Sequence, residues 1–403
     1  MTYLLKNIRV ITCNGDEIFE NGEVLFSEEG ITEAGISVRK PEGAVTEIDG
    51  TGKTVIPGLV DSHVHLGMDA SPDPFSKMKD DGPEEIAFKA VKQGYEFLAA
   101  GITTVRNLGT RYNADIKYSR AVKEGLVEGP RVFAAGRPIV MTGGHGHVMA
   151  VEADGPDEVR KAARQQFKAG ADLLKVMATA GVLTESNEGP GGVQLNEEEL
   201  RCACEEAANI SKTVAAHTIG TEGIKNAVRA GVTTIEHAYL LDEEGVQLMV
   251  QMGTYLVPTL LAPRLILDKQ GIVPDYMLNK LNQIVDDHIN SFQLALEAGV
   301  PIAAGTDAGT PFNVPGLLAD ELALMVDCGM SPAEALRSAT ITAARAVKAD
   351  SKIGTIEAGK TADLVVVDGD PLTDISVLKN PVHVFKEGRL YQGTATNKVP
   401  EVQ

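Results

Sequence analysis

Short apolar runs alternate along most of the chain with longer stretches whose apolar positions recur at helical spacing. This alternation repeats eight times, with strand candidates at 54–60, 103–107, 132–136, 173–177, 214–217, 234–237, 255–259 and 302–306. Helices with acidic starts are predicted between them, at 83–99, 156–168, 196–210 and 317–327. Strand and helix in strict alternation imply parallel βα units, and eight of them favour a closed (β/α)₈ TIM barrel over an open doubly wound sheet. The chain ends follow a different pattern. Strand-like segments at 4–12, 23–26, 31–36 and 44–48 are separated by Asn14-Gly15, Asn21-Gly22 and Glu29-Gly30, and similar segments return at 362–368 and 383–388. The expectation is an α/β chain with three parts: 1–55 and 350–403 build one small β-sandwich together, and 56–349 is the barrel.

Composition narrows the function classes. A length of 403 residues exceeds what one hydrophobic core usually fills. The net charge of −19 argues against nucleic acid and anionic membranes, which are held by clustered Lys and Arg. Cys13, Cys202, Cys204 and Cys328 show neither CxxC pairing nor disulfide spacing, and the start Met1-Thr2-Tyr3-Leu4-Leu5-Lys6 lacks the apolar core of a signal peptide. A cytoplasmic home is expected, with a small-molecule substrate and association of identical chains. None of the Gly-rich stretches is a GxGxxG or GxxxxGK[ST] placed between strand and helix, so a nucleotide fold has no support.

In barrel enzymes the reactive groups sit at the carboxyl ends of the strands. The first strand here ends in Asp61-Ser62-His63-Val64-His65, where strand alternation puts His63 and His65 on one side, close enough to share a metal. Lys175 lies inside Leu173-Leu174-Lys175-Val176-Met177; the fifth strand ends in His217, the sixth in His237 and the eighth in Gly305-Thr306-Asp307. Taken singly, each histidine reads more readily as a hydrogen-bonded structural residue, and the lysine as an ion-pair partner or Schiff-base nucleophile. Taken jointly, four of the eight histidines stand where ligands would have to stand. Nitrogen donors with a carboxylate suit zinc and similar divalent ions. His288, on a predicted helix, and His383, in the returning β segment, are read as structural.

The run Val55-Ile56-Pro57-Gly58-Leu59-Val60-Asp61-Ser62-His63-Val64-His65, followed by Lys175, His217, His237 and Gly305-Thr306-Asp307, resembles the amidohydrolase superfamily. The segment from Ile353-Gly354-Thr355 to Asp363-Leu364-Val365-Val366 is similar to that family's return into its composite β-sandwich, so the likeness spans essentially the whole chain. Thr142-Gly143-Gly144-His145-Gly146 and Gly101-Ile102-Thr103-Thr104-Val105-Arg106 resemble the branch of metal-dependent Xaa-Pro dipeptidases (prolidases) and Xaa-Arg/Lys carboxypeptidases, related to imidazolonepropionase.

The resemblance implies two divalent metal ions, with Zn²⁺ expected. His63, His65 and Asp307 would hold the first, His217 and His237 the second, and Lys175 would bridge them as an N-carboxylated lysine. It implies hydrolysis of an amide bond by a metal-activated hydroxide, with Asp307 as proton shuttle. His145, with His147 able to share the task, would donate a hydrogen bond to the developing oxyanion. Arg106, Arg137 and Arg264 are candidates to grip a substrate carboxylate, against the alternative that each is a salt-bridge residue. Arg264 follows the seventh strand on a long segment that could form a lid. Ile219 stands where proline-cleaving relatives carry a tyrosine, and Asn107 where many carry Asp. The expected substrate is a dipeptide. The alternatives are a basic C-terminal peptide, an N-acyl amino acid or a cyclic amide. A mononuclear deaminase or imidazolonepropionase-like enzyme would generally lack the lysine. A metal-free Schiff-base lyase would leave the histidines unexplained, and a non-catalytic metal-binding scaffold remains as the reading of another class.

Overall fold

The computed structural model describes residues 1–186 and 188–392. Both ends of the chain meet in one sheet. Tyr3–Ile11 pairs antiparallel with Ile18–Ser27 and parallel with Thr46–Asp49 and Lys53–Pro57, and Lys53–Pro57 in turn pairs antiparallel with Leu364–Asp368. Pro381–Lys386 and Arg389–Gln392 complete it on one side and Gly30–Gly35 on the other. Its buried face is aromatic and branched: Tyr3, Phe26 and Phe385 pack with ring centroids 4.9–5.4 Å apart.

The predicted first barrel strand, 54–60, proves to be two strands. Lys53–Pro57 belongs to the chain-end sheet and Leu59–Val64 to the barrel. Gly58 makes the crossing, where a Cβ would stand 2.2 Å from Thr103 Oγ1 and 2.9 Å from Asp363 Cβ. Only a residue without a side chain lets the two sheets approach this closely.

From Leu59–Val64 the parallel order runs through Ile102–Asn107 to a third strand in two pieces, Arg131–Ala134 and Ile139–Val140. It continues through Leu173–Met177, Thr213–Thr218, Thr234–His237 and Tyr255–Val257. The eighth predicted strand, 302–306, is no regular ladder. Ile302 bridges Leu256 and Ala308 bridges Val64, while Ser62 N donates to Ala304 O at 2.9 Å and Asp307 N to His63 O at 2.8 Å. The irregularity has a local cause: Asp61 takes Thr306 N at 3.0 Å and Thr306 Oγ1 at 2.7 Å, and Asp307 has φ +63°. A left-handed residue cannot continue a strand. These bonds link the segment to the seventh strand on one side and to the first on the other.

Helices Pro83–Ala99, Pro156–Ala169, Glu197–Ala208 and Thr221–Ala230 pack outside the strands, in one aliphatic core that includes Phe97, Val159, Leu200 and Ile224. A second apolar cluster covers the carboxyl ends of the strands, where Leu261–Leu267 and Asp275–Leu281 cap the mouth. Among the described residues no helix is long and apolar enough to cross a membrane.

Candidate metal centre and active site

Beneath that cap lies a cavity of about 630 Å³, part of it open to solvent, whose lining includes His63, His65, His145, Lys175, His217, His237 and Asp307. Six of the seven come from strand ends or the turns that follow them, and Lys175 comes from the middle of Leu173–Met177. Leu59–Val64 is buried at every position, so both its faces are fixed by packing, and period-two alternation then turns His63 inward with His65 following.

Three of the rings, His63, His65 and His237, are oriented from behind. His63 donates Nδ1–H to Glu236 Oε2 at 2.8 Å. Glu236 is itself gripped by Arg106 Nη2 at 2.8 and 3.0 Å, and Arg106 Nη1 donates to Thr234 Oγ1 at 2.8 Å. Arg106 and Glu236 are both 0% exposed, and a buried pair is tolerated only when satisfied on all sides, as here. His65 donates Nδ1–H to Gly109 O at 3.2 Å, and His237 Nδ1 shares a 2.8 Å bond with Thr259 Oγ1. His288 Nε2 bonds the carbonyls of His237 and Pro258 at 3.1 and 2.8 Å, fixing the ends of the sixth and seventh strands.

With Nδ1 of His63 and His65 spent as donors, their Nε2 atoms carry lone pairs, yet they stand 3.3 and 3.2 Å from Asp307 Oδ1. Three acceptors at that spacing repel unless a cation lies among them. The three residues offer ligand atoms within 4.8 Å of one another. His63 Nε2, His217 Nε2 and Asp307 Oδ1 are also buried without a hydrogen-bond partner, which buried polar atoms otherwise avoid. The donor set therefore fits a divalent metal, and the ties behind His63, His65 and His237 are the arrangement that metal-bound histidines need.

Strain and electrostatics agree. His237, Thr259 and Asp307 have φ of +75°, +51° and +63°, a cost on the order of 1–3 kcal/mol each that clusters at functional sites. Burial holds His63 and His217 well below the ordinary imidazole range and lowers His145 and His237 to about 3. Burial also resists the charge on Asp307, but the surrounding rings, His63 first, hold its carboxyl well below the usual range. Lys175 is 1% exposed, has no ion-pair partner among the described residues, and is lowered by burial to about 8. That leaves the ion-pair alternative for Lys175 without a partner and raises the share of neutral amine.

The remaining predicted residues scatter. His145 lines the cavity, but His147 is exposed and bonds Gly144 O at 3.1 Å in its own turn. Arg106 is sealed behind His63, held by Glu236, and stays outside the cavity lining. Arg137 donates to the carbonyls of Met149 and Ala150 and stays outside the cavity lining. Arg264 lies on the exposed side of its capping helix while Ala262, Pro263 and Ile266 face inward. No arginine lines the cavity among the described residues; its walls are formed by residues such as Met68, Phe75, Met149, Met177, Leu183 and Ile219. The sequence reading missed Glu236, Thr259 and Tyr239. A glutamate inside the apolar Thr234-Ile235-Glu236-His237 was the available signal for the first. Nothing local marks Thr259, whose partner is 22 residues away.

Comparison with known proteins agrees with this geometry. The model of the amidohydrolase family matches residues 54–391. The ochratoxinase of Aspergillus niger is 31% identical over 415 aligned residues, covering 94% of this chain and 84% of that one. Its crystal structure superposes with a TM-score of 0.87 at 29% identity, covering 98% and 96% of the two chains. A Xaa-Pro dipeptidase crystallised with methionine in its active site superposes with a TM-score of 0.90 at 33% identity, over 98% of this chain and 100% of that one. The chain belongs to the amidohydrolase family and is a hydrolase of carbon–nitrogen bonds.

Proposed function

We propose that this protein hydrolyses an amide bond flanked by bulky apolar groups, in a dipeptide or an N-acyl amino acid. Two divalent ions, Zn²⁺ in the first instance, would be held by His63, His65 and Asp307 and by His217 and His237, with an N-carboxylated Lys175 supplying a further ligand. The observation that carries the reading is the group of mutually facing acceptors, His63 Nε2, His65 Nε2 and Asp307 Oδ1, at 3.2–3.3 Å. When bound, the ions supply Lewis acidity that makes water a nucleophile near neutral pH and polarises the amide carbonyl. Burial moves Lys175 toward its neutral form, which takes up carbon dioxide and releases a proton to solvent to give the anion the site needs. Asp307 accepts the proton of the attacking water and delivers it to the leaving nitrogen. His145 donates to the carbonyl oxygen as negative charge builds there.

The walls set the substrate class. Apart from Asp307 no carboxylate lines the cavity among the described residues, so a basic C-terminal residue finds no partner, which counts against an Xaa-Arg/Lys carboxypeptidase. Ile219 offers no hydroxyl to a substrate carboxylate. Tyr239, two places after His237, lines the cavity, and its hydroxyl makes no hydrogen bond among the described residues. It is the donor we assign to the polar end of the substrate.

The test is amine release by zinc-loaded enzyme in bicarbonate buffer, from Xaa-Pro, Xaa-Leu, Xaa-Phe, Xaa-Arg and Xaa-Lys dipeptides and from N-acyl leucine and phenylalanine. Turnover of the bulky apolar substrates with refusal of the basic ones is expected. Refusal of every amide by fully loaded enzyme overturns the proposal.

A further inference from the structure

The turn that carries His145 meets the hydroxyl of Thr184, on the loop that follows Leu173–Met177. Gly146 N donates to Thr184 Oγ1 at 3.0 Å, and the same oxygen lies 2.9 Å from His145 Nδ1. Thr184 is 8% exposed and His145 7%. A buried hydroxyl proton needs an acceptor, and Nδ1 is the one within reach. Donation from Thr184 to Nδ1 satisfies all three groups at once, because the Gly146 N–H already occupies a lone pair of the oxygen. The opposite direction, Nδ1–H to Oγ1, would leave the hydroxyl proton buried with no partner. Nδ1 is therefore an acceptor, and the neutral ring carries its proton on Nε2.

The ring is held against turning over. His217 lies against it with centroids 4.4 Å apart and planes at 31°, and a Cβ at Gly181 would stand 2.4 Å from His145 Cε1. Thr184 is in turn held from the cap. Lys280 Nζ donates to Thr184 O at 2.8 Å and to Ser186 Oγ at 2.9 Å, and Tyr276 donates its hydroxyl to Leu183 O at 3.1 Å. Both donors belong to the capping helix Asp275–Leu281.

We propose that Thr184 is a positioning residue for the hydrolysis: its hydroxyl fixes His145 as the Nε2–H tautomer, and the capping helix, through Lys280 and Tyr276, keeps that hydroxyl in register. The cap thus helps prepare the donor that meets the substrate, besides covering the cavity. The consequence for turnover rests on the reading of His145 as the donor to the substrate oxygen, whereas the tautomer does not depend on any reaction.

The experiment uses metal-loaded protein with nitrogen-15 in its imidazoles, the His145 signals being assigned by their loss in His145→Gln. The wild type should show the proton on Nε2. Thr184→Val should lose that preference and lower kcat about tenfold to a hundredfold, with KM, metal content and melting temperature close to wild type. Thr184→Ser, which keeps the hydroxyl, should restore most of kcat and the wild-type tautomer. A proton on Nδ1 in the wild type overturns the proposal, as does Thr184→Val with wild-type kcat and tautomer. If the wild type hydrolyses no amide at all, the proposed function fails while the nitrogen-15 spectrum still decides the tautomer.

Discussion

On the floor of the cavity, His63, His65 and His237 are each tied by Nδ1 to a partner from another strand end or loop, Glu236, Gly109 and Thr259, at 2.8–3.2 Å. On the walls, Met68, Met149, Met177, Leu183 and Ile266 come from strand ends, loops and a capping helix, in an apolar cluster separate from the main core. The floor spends backbone strain and buried polar groups to hold a few atoms in place. The walls hold shape through flexible thioethers, which repack at small cost. Reaction and substrate choice are thereby separable: a change on the floor should affect all substrates alike, and a change on the wall should re-rank them.

The largest effect should follow Lys175→Ala. It removes the anion proposed between the two ions, so metal content by elemental analysis should fall and activity should vanish on every substrate. A full metal complement with normal activity would end the assignment. Asp307→Asn should lower kcat about a thousandfold through loss of the proton acceptor, again whatever the substrate. Unchanged turnover would mean that another group is the base.

Behind the floor, His288 tests how much stability the buried rings contribute. Burial first, opposed by the His237 and Pro258 carbonyls, lowers it to about 4, whereas an unfolded chain takes up that proton near 6.5. Its contribution is present above pH 6.5 and is lost as pH falls toward 4, on the order of 3 kcal/mol in all. Melting of metal-free protein should therefore drop across that window, and the drop should shrink in His288→Asn. A smaller loss is expected from Glu236→Gln, which weakens the orientation of His63 and should cut metal affinity about tenfold to a hundredfold by titration. The wall change should be smallest. Ile219→Ala should shift kcat/KM between leucine and phenylalanine substrates about tenfold while leaving metal binding alone. An equal loss on both would erase the distinction between floor and wall.

The floor was legible in the sequence and the walls were not, for physical reasons. Strand alternation is a local rule, so His63 and His65 could be placed on one side from their spacing alone. His217, His237 and Asp307 followed from standing at strand ends. Arg106 shows the limit: an arginine inside an apolar strand reads as a candidate for a substrate carboxylate until its partner, Glu236, 130 residues away, is seen. The eighth strand was misjudged as regular because Asp61, on the far side of the chain's closure, takes over the Thr306 N–H. The segment after the seventh strand lies over the cavity, but which of its faces turns inward depends on the cluster it joins, and Arg264 is on the outer one. Loops from distant parts of the chain build the walls, and no periodicity links them.

The central claim is that the floor holds a metal pair that performs amide hydrolysis. The measurement that tests it most directly is titration of metal-free protein with zinc in bicarbonate buffer, following release of leucine from an N-acyl leucine. Activity should rise with added metal and level off at about two ions per chain, and a chelator should abolish it. Hydrolysis at full rate in the chelated protein, or none at saturating metal, would contradict the account.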